Sequence, residues 1–217
     1  MSKTRTLGAI LFNDFEILDL CGPLEMFGNV GKELRIVTIA EQAGPVKSVQ
    51  GPSMLAEEDF NSAPPLDVIL LPGGLGTETE QQNPAMLGFL RDRAAQAELV
   101  TTVCTGSALL AASGVLDGLA ATSNKLFFEL ARSQSDQVEW RESARWVEDD
   151  KVFTSSGVSA GIDMSLAAIA RLYGNEKAEQ IAVFTEYSWH RDANDDPFNP
   201  FLNQGKIEEL LETLGRA

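Results

Sequence analysis

Only two cysteines, Cys21 and Cys104, and one histidine, His190, occur in the 217 residues. Two cysteines cannot build the disulfide framework of a small secreted protein. A lone histidine cannot assemble a zinc site. Cations are scarce as well: 17 Lys and Arg stand against 32 Asp and Glu, a formal charge of −15. Phosphate binding depends on clustered Lys and Arg, so nucleic acid is not an expected partner, and the acidic excess reads as a solvated surface. No apolar run approaches the ~20 residues that a spanning helix needs, so no membrane partner is expected. No small-residue cleavage site follows Met1-Ser2-Lys3-Thr4-Arg5, which leads directly into a strand-like run. Internal repeats, low-complexity stretches and long linkers are absent. With 44% hydrophobic and 23% charged residues, the composition is that of an ordinary globular protein. These absences lead to the expectation of one domain over residues 1–217, in the reducing cytoplasm.

The chain alternates strand-like and helix-like segments. Residues 6–12, Leu34–Ala40, Asp67–Leu71, Leu99–Val103 and Lys151–Thr154 are apolar runs of strand length. Runs such as Asp-Val-Ile-Leu-Leu suit parallel strands covered on both faces. Between them, Pro84–Gln96, Gly106–Ala112, Phe127–Ala131, Ile162–Tyr173 and Lys177–Thr185 have helical spacing, and a C-terminal helix is predicted over Ile207–Leu214. Leu24, Phe27 and Val30 continue this spacing after Gly22-Pro23, and proline favours a first helical turn, so a helix is predicted to begin near Pro23. Gly44-Pro45 and Gly51-Pro52 punctuate a hairpin-like excursion, and Trp140 and Trp146 fall in a short β region. The predicted fold class is α/β, a mostly parallel, flavodoxin-like sheet with helices on both faces.

Ligands of open α/β sheets gather beyond the carboxyl ends of the strands. Three segments at such ends carry candidate chemistry. In Val103-Cys104-Thr105-Gly106-Ser107 a strand passes within two residues into a small-residue helix, as in a nucleophile elbow. Gly106 and Ser107 let the helix start press close, and the helix N-terminus favours thiolate over thiol. Equally, a free cysteine there serves as a small core residue. Gly73-Gly74 ends another strand; its N–H groups suit an oxyanion hole, or the pair forms an ordinary turn. Asp19 lies among Ile17, Leu18 and Leu20, either as a desolvated, protonated acid or as a helix cap.

Four motifs occur in order: Leu18-Asp19-Leu20-x-Gly22-Pro23, Leu71-Pro72-Gly73-Gly74, Val103-Cys104-Thr105-Gly106-Ser107, and Ser156-Gly157-x-x-Ala160-Gly161-Ile162-Asp163. Together they resemble the ThiJ/PfpI superfamily, whose fold is glutamine-amidotransferase-like, over about residues 6 to 190. The Asp-Leu-x-Gly-Pro and Cys-Thr-Gly pair is similar to the isonitrile hydratase branch, and also to a domain of certain transcription regulators. Those regulators carry a further C-terminal helix-turn-helix domain, so a stand-alone enzyme is expected. The resemblance implies that Cys104 attacks an isonitrile carbon to give a thioimidate and that Asp19 relays the proton. Thr105 assists, and the N–H groups of Gly74 and Thr105 line a polar pocket for a small-molecule substrate. It implies no metal or organic cofactor, since nucleophile and acid suffice, and it implies a homodimer.

The sequence departs from the pattern at one point. Many relatives carry a Thr-Thr-His stretch where this chain has Ala121-Thr122-Ser123-Asn124. A Cys-His dyad therefore lacks its histidine, which counts against proteolysis and less against hydration. His190 is read as a surface or packing residue. Cys21 is a packing residue, part of the pocket wall near Asp19, or a redox partner beside Cys104. Asp163 is a first-turn carboxylate or a residue framing the site. Asp192, Asp195 and Asp196 read as a solvated acidic turn. Two other functions stay open: a redox or stress sensor in which Cys104 is oxidised, and a glyoxalase-type enzyme acting on reactive carbonyls.

Overall fold

The computed structural model describes residues 3–206 together with Glu209, Glu212, Thr213 and Gly215. The helix predicted over Ile207–Leu214 otherwise lies outside the described residues. In chain order the strands are β1 (Arg5–Ile10), β2 (Leu34–Ala40), β3 (Gly44–Lys47), β4 (Ser53–Ala56), β5 (Glu58–Asp59), β6 (Val68–Leu71), β7 (Leu99–Val103), β8 (Ala120–Ala121), β9 (Glu139–Trp140), β10 (Trp146–Asp149) and β11 (Val152–Ser155). The α-helices are α1 (Ile17–Gly28), α2 (Thr77–Glu80), α3 (Pro84–Gln96), α4 (Gly106–Ala112), α5 (Phe128–Arg132), α6 (Ala160–Tyr173) and α7 (Asn175–Phe184).

The main sheet runs β10-β11-β7-β6-β1-β2-β5 and is parallel except for β10 against β11. Its central strands are the apolar runs of the sequence: β6 (Val-Ile-Leu-Leu) and β7 (Leu-Val-Thr-Thr-Val) are buried at every residue. Thr101 survives inside β7 because its hydroxyl donates to the Ile69 carbonyl at 2.8 Å, which satisfies the buried group. The glycine-proline excursion is the β3–β4 hairpin.

Sheet order also explains why helices cover both faces. From β1 the chain steps through α1 to β2 on one side, whereas from β6 it steps through α3 to β7 on the other. Right-handed crossovers in opposite directions put their helices on opposite faces. In agreement, α1 packs with α6, and α3 packs with α4. The direction reverses between β1 and β6, and a crevice opens beyond the carboxyl ends of strands at such a switch point. The turns after β1, β6 and β7 all converge there.

One helix begins earlier than its proline suggests. α1 starts at Ile17 and carries Pro23 inside it. The missing N–H at Pro23 forfeits one helical hydrogen bond. Burial of Leu20, Pro23, Met26 and Phe27 offsets that loss, and the Gln50 side chain accepts the Ile17 N–H at 3.1 Å at the helix start. Asp19 is thereby in the first turn rather than at a cap.

Candidate active site

Cys104 follows β7 directly and adopts φ = 60°, in the left-handed region that costs a non-glycine residue roughly 1–2 kcal/mol. The surroundings over-determine this turn. The Cys104 N–H points at the carbonyls of Ser155 and Ser156, each at 3.2 Å. Its carbonyl accepts from the hydroxyls of Ser107 at 3.1 Å and Ser123 at 3.2 Å. Gly106 makes the elbow sterically feasible, since a Cβ there would stand 2.7 Å from the Pro72 carbonyl oxygen.

Three neutral donors surround the sulfur. The Asn124 amide nitrogen donates to it at 3.0 Å, and the backbone N–H groups of Thr105 and Val158 also hydrogen-bond it. Asn124 is held in that orientation because its Oδ1 accepts the Phe127 N–H at 3.1 Å. Val158, like Cys104, has positive φ, at 39°. Asp19 completes the group. It is fully buried, and its Oδ2 accepts the Gly73 N–H at 3.0 Å. Its Oδ1 has no regular hydrogen-bond partner, while the carboxyl interacts with the Cys104 side chain.

Burial pushes the Asp19 carboxyl up to about 8, and the nearby Glu16 charge adds to the effect. Burial also holds the Cys104 thiol well above its ordinary range, and Asp19 adds to that when it is ionised. This corrects the expectation of a thiolate favoured by a helix N-terminus: desolvation outweighs the three donors. Burial thus favours the protonated form of both members of the pair.

The glycines act differently from expectation too. The Gly73 N–H is taken by Asp19, and the Gly74 N–H donates to Thr105 Oγ1 at 3.0 Å. Neither is free for an oxyanion. The Thr105 hydroxyl also bonds Thr77 Oγ1 at 3.0 Å, so it braces the turn after β6 against the elbow. Gly74 itself has φ = 139°. Cys21 is half-buried in α1, with its thiol raised by burial.

Cys104 opens on a cavity of about 470 Å³. Thr105, Asn124, Gly74 and Val158 line it, whereas Gly73, Gly106 and Cys21 do not. Its apolar wall is formed by Leu126, Phe127 and Leu130, and its polar wall includes Glu16, Gln50 and Glu78. Sequence reasoning missed Glu16, Gln50 and the Val158 N–H. Only the Ser156-Gly157 motif pointed near Val158, because backbone donors leave no signature in residue type.

The acidic turn is corrected in one member. Asp196 is buried beneath the loop after β8, 3.6 Å from the equally buried Lys125 ammonium and 4.0 Å from the Arg145 guanidinium. Arg145 pairs with Asp163 at 2.6 Å, and Asp163 also accepts from Tyr187 Oη and the His190 backbone N–H. Asp163 thus anchors the chain segments around the site instead of entering it. Among the described residues, no group of three or more His, Cys, Asp or Glu is placed to hold a metal ion, and no helix is long and apolar enough to cross a membrane.

Comparison with known proteins agrees with this geometry. Residues 7–171 match the model of the DJ-1/PfpI family. An isonitrile hydratase of Pseudomonas putida is 33% identical over 187 residues, covering 84% of this chain and 78% of the relative. The HTH-type transcriptional regulator GbdR of Pseudomonas aeruginosa is 29% identical, over 97% of this chain but 59% of the regulator. The crystal structure of a ThiJ/PfpI family protein from Pseudomonas syringae superposes with a TM-score of 0.80 at 30% identity, covering 99% of this chain and 89% of that one. Drosophila melanogaster DJ-1beta shares the fold, with a TM-score of 0.76 at 21% identity over 87% of this chain and all of that one. From the family match and the isonitrile hydratase relative, this chain belongs to the DJ-1/PfpI family.

Proposed function

We propose that the protein is an isonitrile hydratase, adding water to R–N≡C to give the formamide R–NH–CHO with Cys104 as nucleophile and Asp19 as proton relay. The observation that carries this reading is the buried Cys104 sulfur beside the buried Asp19 carboxyl, with the Asn124 amide nitrogen as the third partner at 3.0 Å from the sulfur. The isonitrile carbon must gain both a nucleophile and a proton, and a thiol–acid pair supplies both from one side.

The sulfur adds to the terminal carbon while Asp19 protonates that carbon and takes the thiol proton, giving R–N=CH–S–Cys104. Water then adds to the carbon and a water proton passes to nitrogen. Collapse of R–NH–CH(OH)–S–Cys104 expels the sulfur, and the hydroxyl proton returns to the thiol through Asp19. Both groups end as they began. The Asn124 amide and the Val158 and Thr105 N–H groups stabilise negative charge on sulfur as it enters and leaves. We further propose a homodimer acting on a small molecule in the cytoplasm, where a reducing environment keeps Cys104 a thiol.

Two competing readings fit less well. A peroxide sensor profits from an accessible, low-pKa thiolate, whereas Cys104 is 6% exposed and its thiol is raised. Glyoxalase chemistry moves protons between adjacent carbons, and Asn124 offers a side chain that donates hydrogen bonds but takes up no proton.

The test is turnover of para-nitrophenyl isocyanide followed by absorbance. Wild type is expected to form the formamide, and Cys104→Ala to lose at least 1,000-fold, on the order of the loss of a covalent nucleophile. Folded wild type that leaves the isocyanide untouched would sink the proposal, and methylglyoxal turnover and peroxide oxidation of Cys104 would then be measured.

A further inference from the structure

The cavity over Cys104 has two chemically different walls. Leu126, Phe127 and Leu130 offer only apolar surface, while Glu16 and Glu78 place carboxylates on the same cavity. A hollow built only to admit a small neutral isonitrile has no need of either carboxylate.

Glu16 is the more constrained of the two. It is half-buried and immediately precedes α1. The Gln50 amide nitrogen lies 2.8 and 2.7 Å from its two carboxylate oxygens. Gln50 is itself fixed, because its Oε1 accepts the Ile17 N–H. The clamp is a neutral amide; the ion pairs among the described residues include none at Glu16. Lys206 also lines the cavity, but it pairs with Glu209 at 2.6 Å. Among the described residues, Glu16 therefore presents an oriented negative charge without a neutralising cation, in a cleft where low-dielectric walls strengthen its field. Its position three residues before Asp19 puts it close to the reacting centre, and its charge acts on the Asp19 carboxyl.

We infer that the substrate carries a cationic group, an ammonium or guanidinium joined to its isonitrile through an apolar spacer, and that Glu16, held by Gln50, is the residue that recognises it. The spacer lies against Leu126, Phe127 and Leu130 while the isonitrile carbon reaches Cys104. Carboxylate-bearing isonitriles are rejected by the same charge. This inference rests on the hydratase reading for the reacting group, but the charge selection belongs to the cavity itself.

Three isonitriles of similar size, bearing an ammonium, no charge and a carboxylate, test it in the full chain. Wild type is expected to favour the ammonium over the carboxylate by at least about tenfold in kcat/KM, and the preference should shrink as salt shortens the Debye length. Glu16→Gln is expected to compress the ratio below about threefold, chiefly through KM. Glu176→Gln, at the start of α7, controls for the overall negative field and should leave the ratio intact. Equal use of the three by wild type, or a ratio retained in Glu16→Gln, overturns the inference.

A second assay works without any hydratase activity. In a Cys21→Ser background, Cys104 is modified by methanethiosulfonates bearing a trimethylammonium or a sulfonate group. The thiolate displaces methanesulfinate and forms a mixed disulfide, so the rate reports access of each charge to the sulfur. The cationic reagent should react at least about tenfold faster, and Glu16→Gln should remove most of that advantage. If Glu16→Gln fails to fold, Glu78→Gln and the salt dependence of the wild-type ratio decide the matter: a ratio near one at low salt refutes the charge selection. Isonitriles left unreacted alongside a Glu16-dependent reagent ratio would refute the hydratase reading alone.

Discussion

Replacing Asp19 by Asn should change how stability depends on pH, and the size of the change follows from burial. The Asp19 carboxyl is pushed from 3.8 up to about 8, with desolvation the leading cause. Between those values the folded protein keeps a proton that the unfolded chain has lost. A group raised in the folded state contributes stability that is fully present below its unfolded pKa and is lost as pH rises through the folded one. The slope in this window is about −1.4 kcal/mol per pH unit. From pH 5 to pH 7 wild type should lose about 2.7 kcal/mol through Asp19 alone. Asn has the same shape, and its Oδ1 still accepts the Gly73 N–H, but it has no proton to lose. Groups other than residue 19 are common to both proteins and cancel in the comparison. Lys125, pushed down to about 8 by burial, changes stability only above this window. Urea unfolding followed by tryptophan fluorescence measures the difference. With an m-value of about 2.5 kcal/mol per molar, the wild-type midpoint should fall by about 1 M relative to the Asn variant over those two pH units. Parallel midpoints would show that Asp19 is not a neutral acid in the folded protein, and the proton relay would fall with it.

Other expectations probe the scaffold and the third partner of the sulfur. Lys125→Met should destabilise the protein by about 3–5 kcal/mol, because it leaves the buried Asp196 without its nearest cation; adding Asp196→Asn should restore most of the loss. Thermal melts of the single and double variants measure both. Gly106→Ala should cost about 2–3 kcal/mol, or roughly 5–10 °C in Tm, because the added Cβ meets the carbonyls of Leu71 and Pro72, which are rigid backbone. An unchanged melting temperature would mean that the elbow is looser than its hydrogen bonds indicate. Asn124→His should raise the rate of Cys104 alkylation by iodoacetamide near pH 7 by about tenfold, because an imidazole can accept the thiol proton. A rate equal to that of wild type would mean that position 124 does not govern ionisation of the sulfur.

Much of the sheet was legible because its strands are uniform. β2, β7, α3 and α4 have the bounds that apolar runs and turn residues predict. α1 shows where local rules yield: Pro23 marks a helix start in isolation, but burial of one face of Ile17–Gly28 extends the helix past it. The candidate site was legible in its side chains and not in its backbone. Cys104, Asp19 and Asn124 stand out by residue type, and the fold brings them together. Gly73 and Gly74 stood out equally, yet their N–H groups are spent on Asp19 and Thr105. Which donors remain free is decided by partners 54 and 31 residues distant in sequence. Asp196 was misread for the related reason that charge in a loop is ordinarily solvated; here Lys125 and Arg145 converge on it from other segments.

The electrostatics around Cys104 also explain why an asparagine can serve as the side-chain partner of the sulfur. A Cys-His pair settles as thiolate and imidazolium, a permanently ionised nucleophile suited to carbonyl carbons. Here every donor to the sulfur among the described residues is neutral, burial opposes ionisation of both Cys104 and Asp19, and the Glu16 charge opposes that of Asp19. The Lys125 ammonium is no substitute: it is turned to Thr122 Oγ1 and the Ala144 carbonyl, at 2.9 and 2.7 Å. Burial therefore favours a sulfur that keeps its proton until a substrate arrives. In the hydration proposed above, Asp19 takes the thiol proton in the same step in which it protonates the isonitrile carbon, so no separated charge has to be created in the buried site. For such a substrate the raised Asp19 carboxyl is an advantage, because the proton that burial retains on it is the one the product must carry on carbon.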